Sequence, residues 1–327
     1  MRMRLAYATL DWPDTQVLFG QFWDIWAPVP GNTLDFRQAG PDGAAANPRV
    51  PQVRITQKFN LSDSNMIKLA VAVQNPSQNA PEGVTPSTPY GPSVPTANDP
   101  SLGTINSYGQ APNAGFQLSF ISKALGAAPG FWGMPMKPLE IGLFGIVGKQ
   151  KFSPYTVGAS PTIYRDKDAT VSGLGAFAFV PVLKSSDGKS RAMTASLEAQ
   201  AYTGKGLAVQ GVNTAQLSGA PGMKEMPKAL GVLTQGVLYP TQEWGVTAGY
   251  GYRSVIGSAP RDRGTERNQY LAFVNTAYDF NAAVRVAAEY EHAKSNFFGT
   301  PTTGGNVGAT ADNGQINTFR LCAMYFF

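Results

Sequence analysis

The residues of this sequence that could do chemistry are charged side chains alternating with apolar ones. Arg4, Arg54, Lys58, Lys68, Lys123, Arg253, Arg285 and Arg320 occupy such positions, as do Glu140, Glu198, Glu289 and Glu291. Eight cations against four acids leave a net of +4 on the face they share. Gathered on one low-dielectric wall, such a set raises the local concentration of anions. Arginine grips a carboxylate through two parallel hydrogen bonds, which a ring of lysines does not reproduce. The same residues have a plainer use, as cross-strand ion pairs that keep a wall wet. That use is expected for Arg285 with Glu289 or Glu291.

Covalent and metal chemistry have little to work with. His292 is the one histidine and Cys322 the one cysteine. An intrachain disulfide is therefore excluded, and a histidine-based metal site is not expected. No GxSxG elbow is present, so a hydrolase would have to be built around His292. The acids Asp166, Asp168 and Asp187 lack the spacing of a calcium loop. The net charge of +5 is not gathered into a basic run, which argues against nucleic acid. No cofactor and no metal are expected.

The positions of the charged residues follow from a period of two. In residues 65–75, Ile67, Leu69, Val71 and Val73 face one way and Lys68, Ala70, Ala72 and Gln74 the other. The same alternation runs through Phe116, Leu118 and Phe120, through Leu197, Ala199 and Ala201, and through Trp244, Val246, Ala248, Tyr250 and Tyr252. It recurs in Val284, Val286, Ala288 and Tyr290, and in Phe319, Leu321, Ala323 and Tyr325. These are strands with one apolar and one wet face. Thirteen are expected, at 2–11, 15–27, 51–60, 65–75, 114–125, 138–149, 170–183, 191–204, 228–240, 243–256, 267–280, 282–294 and 314–327. Strand 15–27 alternates poorly, and strand 170–183 carries Pro181 near its end.

Composition narrows the setting. Charged residues make up 14% of the chain, where a soluble protein carries about 25%. No apolar run approaches the ~18 residues of a membrane helix, whereas a barrel strand needs only about 10 alternating ones. The links between strands alternate in length. Short turns fall at Pro13-Asp14, 62–64, 185–190, Thr241-Gln242 and Asn281, and long links at 28–50, 76–113, 150–169, 205–227, 257–266 and 295–313. Sorting of this kind is how an outer-membrane barrel is built, with short turns on one side and long loops on the other. Trp12, Trp23, Trp26, Phe131, Trp132, Trp244 and Tyr325 to Phe327 lie near strand ends, as interfacial girdles do. The fold expected is all-β, a transmembrane antiparallel up-and-down β-barrel filling residues 1–327 as one domain. Counting links back from the C-terminal strand makes strand 2–11 run inward, so about 13 strands are visible of about 16, with N-terminal strands missing. A signal peptide is likewise not seen at Met1.

The N-terminal region carries a resemblance. Arg2 to Trp12 (RMRLAYATLDW) leads to Thr15 to Trp26 (TQVLFGQFWDIW), then Thr33-Leu34-Asp35-Phe36, then Pro51 to Thr56 (PQVRIT). This order resembles the DcaP-like family of trimeric outer-membrane porins, with its LRxAY, VGQxW, TxDF and PQxRY elements. The likeness covers about residues 2–60 and continues more loosely through Tyr202 to Gly206 and the last strand. It departs at Phe22, inside the GQFW element, and at Ile55-Thr56. The resemblance implies that the 28–50 loop folds into the lumen as a constriction, with Asp35, Arg37, Asp42 and Arg49 setting a field across it. It places Arg4 and Arg54 nearest that loop. It also implies a homotrimer, a preference for dicarboxylate-type solutes, and membrane lipid and lipopolysaccharide as neighbours. The reading is a bacterial outer-membrane porin for small hydrophilic, anionic solutes. An adhesin, or a solute-specific channel with ligand-binding outer loops, is the alternative.

Overall fold

A computed structural model describes residues 5–34, 49–75, 112–130, 133, 135–151, 155–156, 163–164, 168–205, 207, 228–257, 266–297 and 313–326. Among them, thirteen strands join edge to edge in one antiparallel sheet. They are β1 (Ala6–Asp11), β2 (Thr15–Trp23), β3 (Arg49–Asn60), β4 (Asn65–Gln74), β5 (Asn113–Pro129), β6 (Met136–Lys151), β9 (Asp168–Leu183), β10 (Thr194–Lys205), β11 (Lys228–Tyr239), β12 (Trp244–Ile256), β13 (Glu266–Asp279), β14 (Val284–Phe297) and β15 (Asn313–Tyr325). Each pairs with its predecessor and its successor, the up-and-down order of a barrel wall. The two-residue strands β7 (Tyr155–Thr156) and β8 (Ile163–Tyr164) form a separate hairpin within the link from β6 to β9. The edges of the sheet are β1 and β15, and no pairing joins them among the described residues. Leu321 on β15 is 90% exposed.

The two faces obey one parity. On β10, Thr194, Ser196, Glu198, Gln200 and Tyr202 are buried, while Leu197 is exposed. On β14 the buried set is Arg285, Ala287, Glu289, Glu291 and Ala293. The covered face is thus rich in polar residues, and the open face carries Val53, Val71, Leu118, Leu143, Leu174, Leu197, Val274 and Phe319. That inversion of the soluble pattern is what a lipid-facing wall demands. At the short-turn end the exposed face is aromatic or large, with Trp12, Phe59, Trp244, Tyr278, Phe280, Tyr325 and Phe326.

Local chemistry explains the turns. Asp187 receives backbone N–H bonds from Lys189 (2.8 Å) and Ser190 (2.6 Å), and the Ser185 hydroxyl donates to it at 3.0 Å. These bonds, Ser190's first, hold the Asp187 carboxyl below the usual range. Pro181 is tolerated in β9 because it faces Ser196, where the ladder with β10 shifts register.

Three expectations need correction. β2 stops at Trp23, not residue 27, because the chain turns inward at Asp24. β5 continues to Pro129, past a register shift between Ser122 and Ala127, and Lys123 lies exposed at the short-turn end, off the regular wall. The lumen is also not wet throughout. Phe144, Ile146, Val171, Phe177, Tyr202 and Leu233 point inward and form a buried apolar cluster with Trp26, Ala27 and Val29.

Candidate functional site

From Asp24 to Leu34 the chain leaves the wall and crosses the inner face of the sheet as an extended strap. Ile25, Trp26, Ala27, Val29, Asn32, Thr33 and Leu34 are all buried. An extended segment has no ladder of its own, so its backbone groups need partners. The wall supplies them, one strand after another. Gln52 on β3 donates to the carbonyls of Phe22 and Trp23, and Arg54 also donates to Trp23. Gln117 on β5 donates to the Ile25 carbonyl. Gln200 on β10 makes a two-way amide pair with Val29, accepting its N–H at 2.9 Å and donating to its carbonyl at 3.1 Å. Gln235 on β11 accepts from the Asn32 N–H and donates to the Pro30 carbonyl, both at 2.9 Å. Asn275 on β13 donates to the Asn32 carbonyl, and Thr247 on β12 accepts from the Asn32 side chain. Glu289 on β14 accepts the Leu34 N–H at 2.7 Å.

Apolar packing seats the first half of the strap. Trp26 meets Phe144 edge to face at 4.8 Å between centroids, and Tyr202 at 5.4 Å. Its indole fits over Gly173, where a Cβ would stand 2.4 Å from Trp26 Cη2. Ile25 fills the equivalent notch over Gly115. Ala27 adopts φ 49°, a left-handed conformation that disfavours a side chain by about 1–2 kcal/mol. Strain of this kind persists only where the surroundings over-determine the backbone. We expect Gly173→Val to overpack the notch by about 1–3 kcal/mol and unseat the indole. With the other four of the five tryptophans replaced by Phe, Trp26 emission should then shift to longer wavelength. An unshifted spectrum would mean that Trp26 does not depend on the notch.

The charged wall residues are distributed as follows. Lys68 pairs with Glu140 at 2.7 Å, and Ser119 donates to the same carboxylate. Arg320 lies between Glu289 (2.9 Å) and Glu291 (2.5 Å). Glu198 is buried and accepts from Gln235 at 2.6 Å. Arg253 donates to Gln269. Lys58 is exposed, beyond Arg54 on the same face of β3. Arg49 stacks on Trp23 at 4.1 Å. Arg4, Asp35, Arg37 and Asp42 lie outside the described residues.

Two expectations change here. Arg285 pairs not with Glu289 or Glu291 but with Asp279, through Nε at 2.5 Å and Nη2 at 2.9 Å. Asp279 is Arg285's direct partner across the β13–β14 ladder, whereas Glu289 is four residues along the same strand, about 13 Å away. Arg191 joins Asp279 from the neighbouring turn at 2.9 Å. Trp26, expected in a girdle, is a lumen residue with 2% exposure. Sequence reasoning also missed the anchors Gln52, Gln117, Gln200, Gln235, Thr247 and Asn275. Their signal was an uncharged polar residue at an inward position between apolar outward neighbours. His292 faces outward, its Nδ1 2.8 Å from the Asn317 side-chain oxygen. Among the described residues no group of His, Cys, Asp or Glu is arranged to hold a metal.

No family model matches the sequence, and no curated protein does. Solved structures do. The chain is similar to the crystal structure of the outer membrane channel DcaP of Acinetobacter baumannii, with TM-score 0.60 and 15% identity over 100% of this chain and 75% of that one. It is similar to outer-membrane expressed OmpT of Vibrio cholerae, with TM-score 0.50 and 15% identity over 99% of this chain and 81% of that one. A trimer form of in-vitro folded OmpT matches with TM-score 0.50 and 15% identity, over 99% and 80% of the two chains. At such identities the likeness shows the fold, and that fold is the antiparallel wall of an outer-membrane β-barrel.

Proposed function

We propose that this chain is an outer-membrane porin whose lumen is narrowed by the strap at residues 24–34, and that small hydrophilic solutes diffuse passively past it. The observation that carries this is the strap itself, hydrogen-bonded at its root and along its length by inward side chains from seven wall strands while the opposite face stays apolar. A barrel closed for purely structural reasons needs no such cross-brace. The expected constriction at 28–50 corresponds to the strap's second half, residues 28–34, with residues 35–48 outside the described set. Trimeric assembly is part of the proposal, supported by the trimer form of OmpT to which the fold is similar.

An anion preference is kept, on narrower grounds than the net charge. Asp24 and Asp279 add two inward acids to the four expected, and Lys68, Arg285 and Arg320 are tied to carboxylates. Arg54 spends its hydrogen bonds on neutral oxygens, those of Trp23 and Gln52, at the root of the strap. Asp24 offsets part of its charge, and Lys58, exposed beyond it on the same face, adds a second cation toward a passing anion. Planar-bilayer recording tests both parts of the proposal. Wild type is expected to give stepwise conductance with an anion-leaning reversal potential in a salt gradient. Arg54→Glu should move that potential toward cations, and Arg54→Gln should fall between. A silent bilayer would defeat the porin reading, and an unmoved potential would remove Arg54 from selectivity.

A further inference from the structure

The strap lies across the wall as a bound peptide would. Residues 25–34 (IWAPVPGNTL) carry no charge. The wall bonds that hold them end on backbone groups at Ile25, Val29, Pro30, Asn32 and Leu34, and the Asn32 amide is the strap side chain that joins them. Four of the anchoring side chains, Gln117, Gln200, Gln235 and Asn275, are carboxamides. A carboxamide has a donor side and an acceptor side, as a peptide unit does, and Gln200 uses both on Val29. Gln235 does the same across Pro30 and Asn32. Such contacts read a main chain and are blind to the side chains it carries. Spacing agrees with this. Val29 is held from β10 and Leu34 from β14; those strands lie about 19 Å apart across the sheet. The extended chain from Val29 to Leu34 advances about 17 Å. A main chain crossing this face therefore stays in step with the anchors.

A side chain is read at one place above all. Trp26 sits in the notch over Gly173, against Phe144, Tyr202 and Leu207. Beyond it, Pro28 and Pro30 have no N–H in need of a partner, and each fixes its own φ, so the segment loses less freedom when it is laid out. Main-chain bonds for affinity and a pocket for specificity are the two halves of extended-peptide recognition. We propose that the inner face from β5 to β14 is a peptide-binding track, that the strap is its tethered occupant, and that extended, proline-containing peptides with an aromatic residue are a further class of ligand for this lumen. A brace alone is served by ion pairs or apolar packing at its two ends, whereas donor–acceptor amides along the middle are what a bound main chain requires. Tethering gives the strap an effective concentration on the order of 1 mM, so a free peptide competes poorly with it in the intact chain. The proposal rests on the porin reading for the entry of such peptides into the lumen, but not for their binding.

The probe is a capped, fluorophore-labelled peptide of residues 25–33, and the protein is the whole wall with those residues replaced by Gly-Ser. Anisotropy in detergent is expected to show saturable binding, where a scrambled peptide of the same composition shows none. N-methylation at the position of Val29 removes the N–H that Gln200 accepts and should weaken binding about fivefold. Gln200→Ala removes both bonds to Val29 and should weaken it about twentyfold. Gly173→Val should weaken the native peptide about tenfold and leave a peptide with Ala in place of Trp unchanged. Wild type, its track filled, should bind about tenfold more weakly than the excised chain. If the excised chain does not fold, Trp26→Ala in the full chain empties the notch with the tether kept, and it should bind the peptide more tightly than wild type. Equal binding of the native and scrambled peptides would overturn the track, as would binding indifferent to both N-methylation and Gln200→Ala. Bilayer recording separates this proposal from the porin reading. A peptide that lowers the excised channel's conductance toward the wild-type level supports both. A silent wild-type chain whose excised form still binds the peptide defeats the porin and leaves the track standing, whereas a conducting channel that ignores the peptide defeats the track alone.

Discussion

Excising residues 25–33, with a two-residue Gly-Ser bridge in their place, is expected to raise single-channel conductance several-fold. The strap is the part of the described chain that crosses the lumen. It fills the space in front of Phe144, Phe177, Tyr202 and Leu233 with Trp26 and Val29, and it occupies the amides of Gln200 and Gln235. Without it those amides face water, and the cross-section open to ions widens. The wall should survive, because its strands are joined by backbone ladders that the strap does not enter. The freed apolar wall loses its cover, so some loss of thermal stability accompanies the gain in conductance. Bilayer recording and uptake of larger uncharged sugars give independent readings of the same change. Wild-type conductance in the excised protein would mean that ions travel elsewhere, and that the strap is bracing alone.

How far the sequence could be read depended on which physical rule dominated each segment. Strands such as β4, β10 and β14 were legible because lipid outside and polar groups inside impose strict alternation, and a one-residue slip would turn every side chain over. The strap broke that logic. Ile25 and Trp26 are apolar and follow β2 directly, so they read as more strand, although both are buried against the inward face of the sheet. An apolar cluster inside a barrel is invisible to a rule that puts grease outside. The anchoring amides were overlooked for a related reason. Gln200, Gln235 and Asn275 carry no charge, and only the folded structure lays a foreign backbone across them. Parity assigns a charged residue to a face but not to a partner, because register fixes a neighbour, and Lys123, beside the register shift in β5, escaped even the parity rule. Asp279 opposite Arg285 is a fact of register.

Glu289→Ala should be the most damaging single exchange in the lumen. Its side chain has no exposed surface. It accepts the Leu34 N–H at 2.7 Å, the Asn275 amide at 3.1 Å and Arg320 Nη1 at 2.9 Å. Removing it strands a backbone donor at the strap's end and takes a counter-charge from Arg320. Breaking a buried ion pair typically costs about 3–5 kcal/mol. Arg320 is 25% exposed and keeps Glu291 at 2.5 Å, so the expected loss lies near the lower end, about 3 kcal/mol. Glu289→Gln divides the effect. Its amide oxygen can still accept from Leu34, so the strap should stay in place while the ion pair is lost. Glu289→Ala is therefore expected to lower the unfolding midpoint and add open-channel noise as the strap's end moves, whereas Glu289→Gln should lower the midpoint with a quiet trace. Combining Glu289→Ala with Arg320→Ala should recover part of the stability, since it removes the arginine left under-compensated. A Glu289→Ala channel as quiet and as stable as wild type would refute the anchor, and with it the view that the strap is held by the wall from root to tip.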